Sequence, residues 1–178
     1  MKTCSLYGLI LAITGAIVTL VLFFLGFHSD PAKVGTGQMI GGLTILAASI
    51  VITSLGIKAR RAEVPGSEPF GYGRALGAGV LISLVAVVLS TVFNIIYTVF
   101  INTGFTEVMV QAQMDKLQAK GLSGAQLDQA EKMTRMMMGP VPAAIVGILF
   151  GMIIGTIISL ILAAFLKRPA PPAGIRQV

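Results

Sequence analysis

The chain has 178 residues, of which 55% are hydrophobic and only 11% charged, and its mean hydropathy is +0.90. A soluble globular domain carries about 25% charged residues, so this chain cannot clothe itself in solvated side chains; it is also too apolar for disorder, and its single cysteine excludes a disulfide scaffold. What remains is an integral membrane protein, and the net charge of +6 is read first as a topology signal rather than as a nucleic-acid footprint.

The first apolar run covers 6–27 and holds no charged residue. Such a run crosses a hydrocarbon core of about 30 Å. It exceeds a signal-peptide core, and no small-residue cleavage site follows it, so a retained helix is expected. Cys4 precedes the run and reads as a reduced thiol near the membrane surface. The stretch 28–38 carries Asp30-Pro31 and two glycines, which is turn chemistry. Further runs cover 39–57, 76–101 and 141–166. The last opens with Pro140 and Pro142, tolerated in a first helical turn. Each run is too long, and too lacking in alternation, for a barrel strand.

The connection between the third and fourth runs reads as helical. Ser123 and Gln126 fit a capping box, with Leu122 and Leu127 as its staple. Gly121 suits the position just past an earlier helix. The expected hairpin covers about 105–138, with arms near 106–120 and 124–138. Its first arm is expected to continue the third span. The expected fold is all-α and polytopic: one membrane domain over 1–168, with four transmembrane helices and an extramembrane helical hairpin between the third and fourth. A disordered cytoplasmic tail is expected at 169–178.

Basic residues orient the chain. With a cytoplasmic amino terminus, the inner segments hold Lys2, Lys58, Arg60, Arg61, Arg74, Lys167, Arg168 and Arg176 against Glu63 and Glu68. The outer segments hold five basic and five acidic residues. The short loops show the contrast most clearly, and both termini are expected inside. Lys58, Arg60, Arg61, Arg74, Lys167 and Arg168 are candidates for contact with anionic lipid as well as for setting orientation.

The fourth span carries Ala143, Gly147, Gly151, Gly155, Ser159 and Ala163 at every fourth position. Small residues at that spacing let another helix backbone approach closely, which is how membrane helices associate. The partner is either within the chain, for instance Gly8, Ala12 and Ala16 of the first span, or a second copy. No Asp, Glu, Lys, Arg or His lies within the four spans. That argues against proton relays and charged catalytic groups inside the membrane. Asn94, flanked by Ser90, Thr91 and Thr98, is expected to hydrogen-bond a neighbouring helix, with a polar pore lining as the alternative. No P-loop, H-E-x-x-H, G-x-S-x-G or C-x-x-C occurs, and no cofactor or nucleic-acid partner is expected. Met133, Met136 and Met137 share a helical face in the hairpin. Packing or partner contact is the expected role, and soft-metal binding the lesser alternative.

Several segments in order resemble an uncharacterised bacterial inner-membrane family, domain-of-unknown-function family 4199. They are Gly56-Ile57-Lys58-Ala59-Arg60-Arg61, then Tyr72-Gly73-Arg74-Ala75-Leu76 with Gly79, then Leu117-Gln118-Ala119-Lys120-Gly121, then Ser159-Leu160-Ile161 and Lys167-Arg168. The chain differs from the family pattern in its few aromatics in the third helix and outer hairpin and in its added Pro-rich tail. The resemblance implies four membrane helices with an extramembrane insert before the last, and no known activity. The reading is therefore a non-enzymatic assembly component of the bacterial cytoplasmic membrane. It would partner lipids and either itself or another envelope protein. A small oligomeric permease or channel is the alternative.

Overall fold

A computed structural model describes residues 1–168; the tail at 169–178 lies outside the described residues. Six α-helices follow in order: α1 (Lys2–Phe24), α2 (Pro31–Ala62), α3 (Tyr72–Ile96), α4 (Phe105–Ala119), α5 (Ala125–Met137) and α6 (Pro140–Leu166). A π-helical turn, Tyr97–Ile101, extends α3. α1, α2, α3 with its π turn, and α6 are long and apolar enough to cross a membrane.

Three boundaries differ from expectation. α2 begins at Pro31, not near residue 39. Asp30 is its N-cap, and its carboxylate accepts the Ala32 amide at 2.9 Å. Proline at the first helical position needs no amide acceptor, so Asp30-Pro31 starts a helix here instead of making a turn. The capping box at Ser123 is absent. Gly124 is the N-cap of α5 at φ 55, with no side-chain cap bond. α4 is also not continuous with α3. After the π turn, Asn102 adopts φ −126 and ψ 75, and α4 starts afresh beyond Gly104.

Gly121 ends α4 as expected. It stands at φ 90, its amide donates to the Gln118 carbonyl at 2.8 Å, and the Leu122 amide donates to Leu117 at 3.1 Å. That pairing is a Schellman stop, which needs a left-handed residue and so favours glycine.

The most extensive helix pairing is α3 with α6. Gly79 and Ser83 on α3 face Ser159 and Gly155 on α6. A Cβ on Gly79 would lie 2.6 Å from Ser159 Oγ, and one on Gly155 would lie 2.6 Å from Ser83 Cβ. Each serine thus fills the gap left by a glycine across the interface. Ser83 Oγ donates to the Gly79 carbonyl at 3.1 Å, and Ser159 Oγ donates to the Gly155 carbonyl at 2.6 Å. Both hydroxyls are satisfied on their own helix, so close approach leaves no orphaned polar group. The stripe on α6 therefore meets α3 rather than the small residues of α1. Gly8 of α1 packs instead on Val85 and the Ile82 carbonyl.

One end of the bundle gathers most of the basic residues. Beside the α2–α3 loop, the Arg168 amide donates to the Phe70 carbonyl at 2.8 Å and the Phe70 amide to Arg168 at 3.1 Å. The Arg168 guanidinium donates to the carbonyls of Val64, Pro65 and Glu68. Arg61 donates to the Leu166 carbonyl at 3.1 Å. Below them Cys4, Ile57, Phe70, Ala75, Ala78, Ile82 and Ala163 form a buried cluster.

The glycine–serine seam makes a quantitative prediction. Gly155→Ala overpacks it and lowers stability by about 1–3 kcal/mol. Adding Ser83→Gly recovers part of that loss, because the two sites are coupled. Gly147→Ala, where nothing lies within 4 Å of the new Cβ, leaves the melting temperature unchanged. Thermal unfolding of the three variants and the wild type in detergent reads all three effects.

Candidate functional site

The seam closes at one end and opens towards the other. It runs antiparallel, with Gly79 at Ser159, Ser83 at Gly155 and Val87 at Gly151. One further step would set Thr91 against Gly147. There the helices have parted, and Gly147 meets nothing within 4 Å. The space forms a half-open cleft of about 750 Å³ lined by all four long helices. Gly147, Ala143 and Ala144 give it a smooth wall on α6, and Gly15 and Gly42 do the same on α1 and α2.

Its polar lining is entirely uncharged. Ser49, Ser83, Thr91 and Thr98 line it, but each hydroxyl already donates to a carbonyl of its own helix. Ser90 and Asn94 lie one turn apart on α3 and also face the cleft. Among the described residues neither side chain makes a hydrogen bond. Asn94 was expected to bond a neighbouring helix; it is left open instead, because α6 has moved away at its level.

The small-residue stripe is thereby divided. Ser159 and Ala163 are fully buried, and Gly155 and Gly151 touch α3. Gly147 and Ala143 face the cleft. The six basic candidates are divided as well. Arg61 and Arg168 bond backbone carbonyls. Arg60 pairs with Glu63, and Arg74 with Glu68. Lys58 and Lys167 are exposed. The Thr3 hydroxyl and then Arg60 hold the Glu63 carboxyl below its ordinary range. Met133, Met136 and Met137 do not line the cleft, whereas Met138 does.

A second feature had no signal in the sequence. His28, Tyr97 and Asn102 are buried together at the open end of the bundle. The Tyr97 hydroxyl lies 2.7 Å from His28 Nδ1 and accepts from Asn102 Nδ2 at 3.0 Å. Asn102 Nδ2 also reaches the His28 carbonyl at 3.2 Å. The direction of the bond between Tyr97 and His28 is set by the imidazole tautomer: the hydroxyl donates its proton to a bare Nδ1, or accepts from Nδ1–H through its second lone pair. Burial pulls the His28 pKa below its ordinary value. Phe23, Phe93 and Phe105 surround the Tyr97 ring. The knot joins the α1–α2 turn, the π turn and the start of α4. The π turn carries Tyr97 inward, where it is fully buried.

Charge pairing holds α4 to α5. The Arg135 guanidinium makes a two-pronged contact with Glu107, both bonds at 2.7 Å, and a third bond to Glu131 at 2.9 Å. The arginine bond draws the Glu107 carboxyl below its ordinary range and raises the Arg135 pKa in turn.

The chain belongs to the family described as protein of unknown function DUF4199, whose family model matches residues 6–168. No curated protein and no solved structure matches the chain.

The buried imidazole makes stability depend on pH. Its folded pKa lies below the unfolded value of 6.5, so its contribution is present above that value. It is lost as acidification protonates the unfolded chain first. The melting temperature in detergent should fall between about pH 7 and 5, and His28→Gln should flatten that part of the curve. Tyr97→Phe should cost about 1–3 kcal/mol at neutral pH by leaving buried partners unpaired.

Proposed function

We propose that the chain is a non-enzymatic assembly component of the bacterial cytoplasmic membrane, and that its cleft receives a transmembrane helix of a second copy or of another envelope protein. The cleft where α3 and α6 part is the observation that carries this reading. Its lining mixes large apolar side chains such as Leu46, Ile95 and Phe150 with small residues at Gly15, Gly42, Ala143, Ala144 and Gly147, and small residues let a membrane helix come close when hydrophobic burial gives no net drive. Ser90 and Asn94, exposed there without partners, offer an incoming helix polar contacts of the kind that hold membrane bundles together. A path for polar solutes has less support, because Ser49, Ser83, Thr91 and Thr98 already spend their protons on their own helices.

Orientation follows from charge. The end that gathers Lys2, Lys58, Arg60, Arg61, Arg74, Lys167 and Arg168 is placed in the cytoplasm, with both termini. α4 and α5 then form a helical hairpin on the outer side. In oriented cells, a cysteine at Ser123 should react with an impermeant thiol reagent. The one native thiol, Cys4, is buried at the opposite end, so background labelling is low. Protection of the Ser123→Cys variant would reverse the orientation.

Gly147→Leu tests the cleft. Nothing lies within 4 Å of a Cβ at this site, and the site faces the cleft, so the leucine side chain projects into the groove. The wild-type chain, extracted from cell membranes in polymer-bounded lipid particles, should migrate as a complex larger than a monomer. Gly147→Leu should migrate as a monomer with an unchanged melting temperature. A monomeric wild type, or a variant that assembles as the wild type does, would refute the proposal.

A further inference from the structure

Among the described residues, α5 is the one α-helix with no buried residue. Its charged side is occupied, since Arg135 is held by Glu107 and Glu131. That contact turns a different set of side chains outwards. Met133, Met136 and Met137 are 58%, 74% and 59% exposed, and all three lie in the last five residues of the helix. The earlier part of α5 exposes no large hydrophobic side chain.

The position of these methionines supplies a partner. α5 ends at Met137 and α6 begins at Pro140, so only two residues separate the methionines from a membrane-spanning segment. Three Cα–Cα steps of about 3.8 Å join Met137 to Pro140, so the end of α5 stands within about 11 Å of the start of that span. At the same end of the bundle α1 exposes Phe24, α3 exposes Phe100 and α6 exposes Val141. The methionines therefore continue, beyond α6, the apolar surface that the spans present. A folded segment bearing apolar side chains just outside a span, with charges on its other side, suits the boundary between headgroups and acyl chains. Methionine is unbranched and flexible, which fits so irregular a layer.

We infer that the C-terminal part of α5 is a membrane-interface contact, with Met133, Met136 and Met137 set among lipid headgroups and upper acyl chains. The inference rests on the reading that α6 spans a bilayer. It separates these methionines from any soft-metal role, because each thioether is assigned to lipid. It also explains why the exposed large hydrophobic side chains of the hairpin lie at its base and not at its tip near Gly121 and Gly124.

The chain contains no tryptophan, so a single introduced indole reports without background. Three variants in lipid nanodiscs, Met136→Trp, Gln126→Trp and Ile153→Trp, are read with lipids spin-labelled near the headgroup or deep in the chain, and with aqueous iodide. Met136→Trp should emit at shorter wavelength than Gln126→Trp, lose most of its intensity to the shallow label and resist iodide. Gln126→Trp, at the opposite end of α5, should show the reverse. Ile153→Trp lies on the exposed side of α6 and should be quenched by the deep label. A Met136→Trp indole quenched by iodide and untouched by both labels would overturn the inference. In that case Ile153→Trp separates the causes: deep quenching there leaves α6 in the membrane and removes only the interface contact, whereas iodide quenching there would remove the spanning reading itself.

Discussion

The fold depends on two glycine–serine pairs across one interface, Gly79 of α3 with Ser159 of α6 and Ser83 of α3 with Gly155 of α6. In lipid, apolar side chains gain nothing by leaving one hydrocarbon for another, so helices are held mainly by contact between atoms. A gap of an ångström forfeits about half of the dispersion attraction. Only backbones that come close can use it along their length. Glycine permits that approach, and the serine opposite fills the gap the glycine leaves. Because each serine donates back to its own helix, the seam stays compact without stranding a hydroxyl in a dry environment.

The two ends of the molecule follow from where this seam stops. Towards the C-terminus of α6 it holds, and the α2–α3 loop is tied to the end of α6 by backbone bonds between Phe70 and Arg168. Towards the N-terminus of α6 the helices part, and the cleft opens. The aromatic and polar knot of His28, Tyr97 and Asn102 sits at that open end. It holds α1, α3 and α4 together where α6 no longer braces α3. A π turn gains one residue on the helix, and here it delivers Tyr97 to His28.

The spans were legible because length and hydropathy alone decide them, and the identity of the small stripe was legible from its period of four. Its neighbour was not. A stripe states which face is smooth, whereas α3 offers its matching Gly79 and Ser83 as two unremarkable residues in an apolar run. Asp30-Pro31 was misread because the same dipeptide serves a turn and an N-cap with proline at the first helical position; only the helix that follows tells them apart. Gly124 displaced the expected cap at Ser123 because its positive φ ends the turn one residue later. The contacts of His28 with Tyr97 and Asn102 span about seventy residues, and no local pattern announces a pairing of that range.

The basic residues show how one side chain meets two demands. Arg61 and Arg168 could be taken as removed from the orientation signal, since their guanidinium groups bond carbonyls of the fold. A carbonyl is a dipole, however, and accepting a hydrogen bond does not discharge the cation that donates it. Glu63 and Glu68 offset Arg60 and Arg74, while Arg61, Arg168, Lys58 and Lys167 keep the end positive. An uncharged donor at position 168 would keep part of the clamp on Val64, Pro65 and Glu68 and lose the charge. Lysine would keep the charge but present a more mobile, more strongly hydrated ammonium to the three carbonyls that one guanidinium nitrogen, Nη2, now reaches. Arg168 thus closes the α2–α3 loop against α6 and still marks that end of the bundle as the positive one.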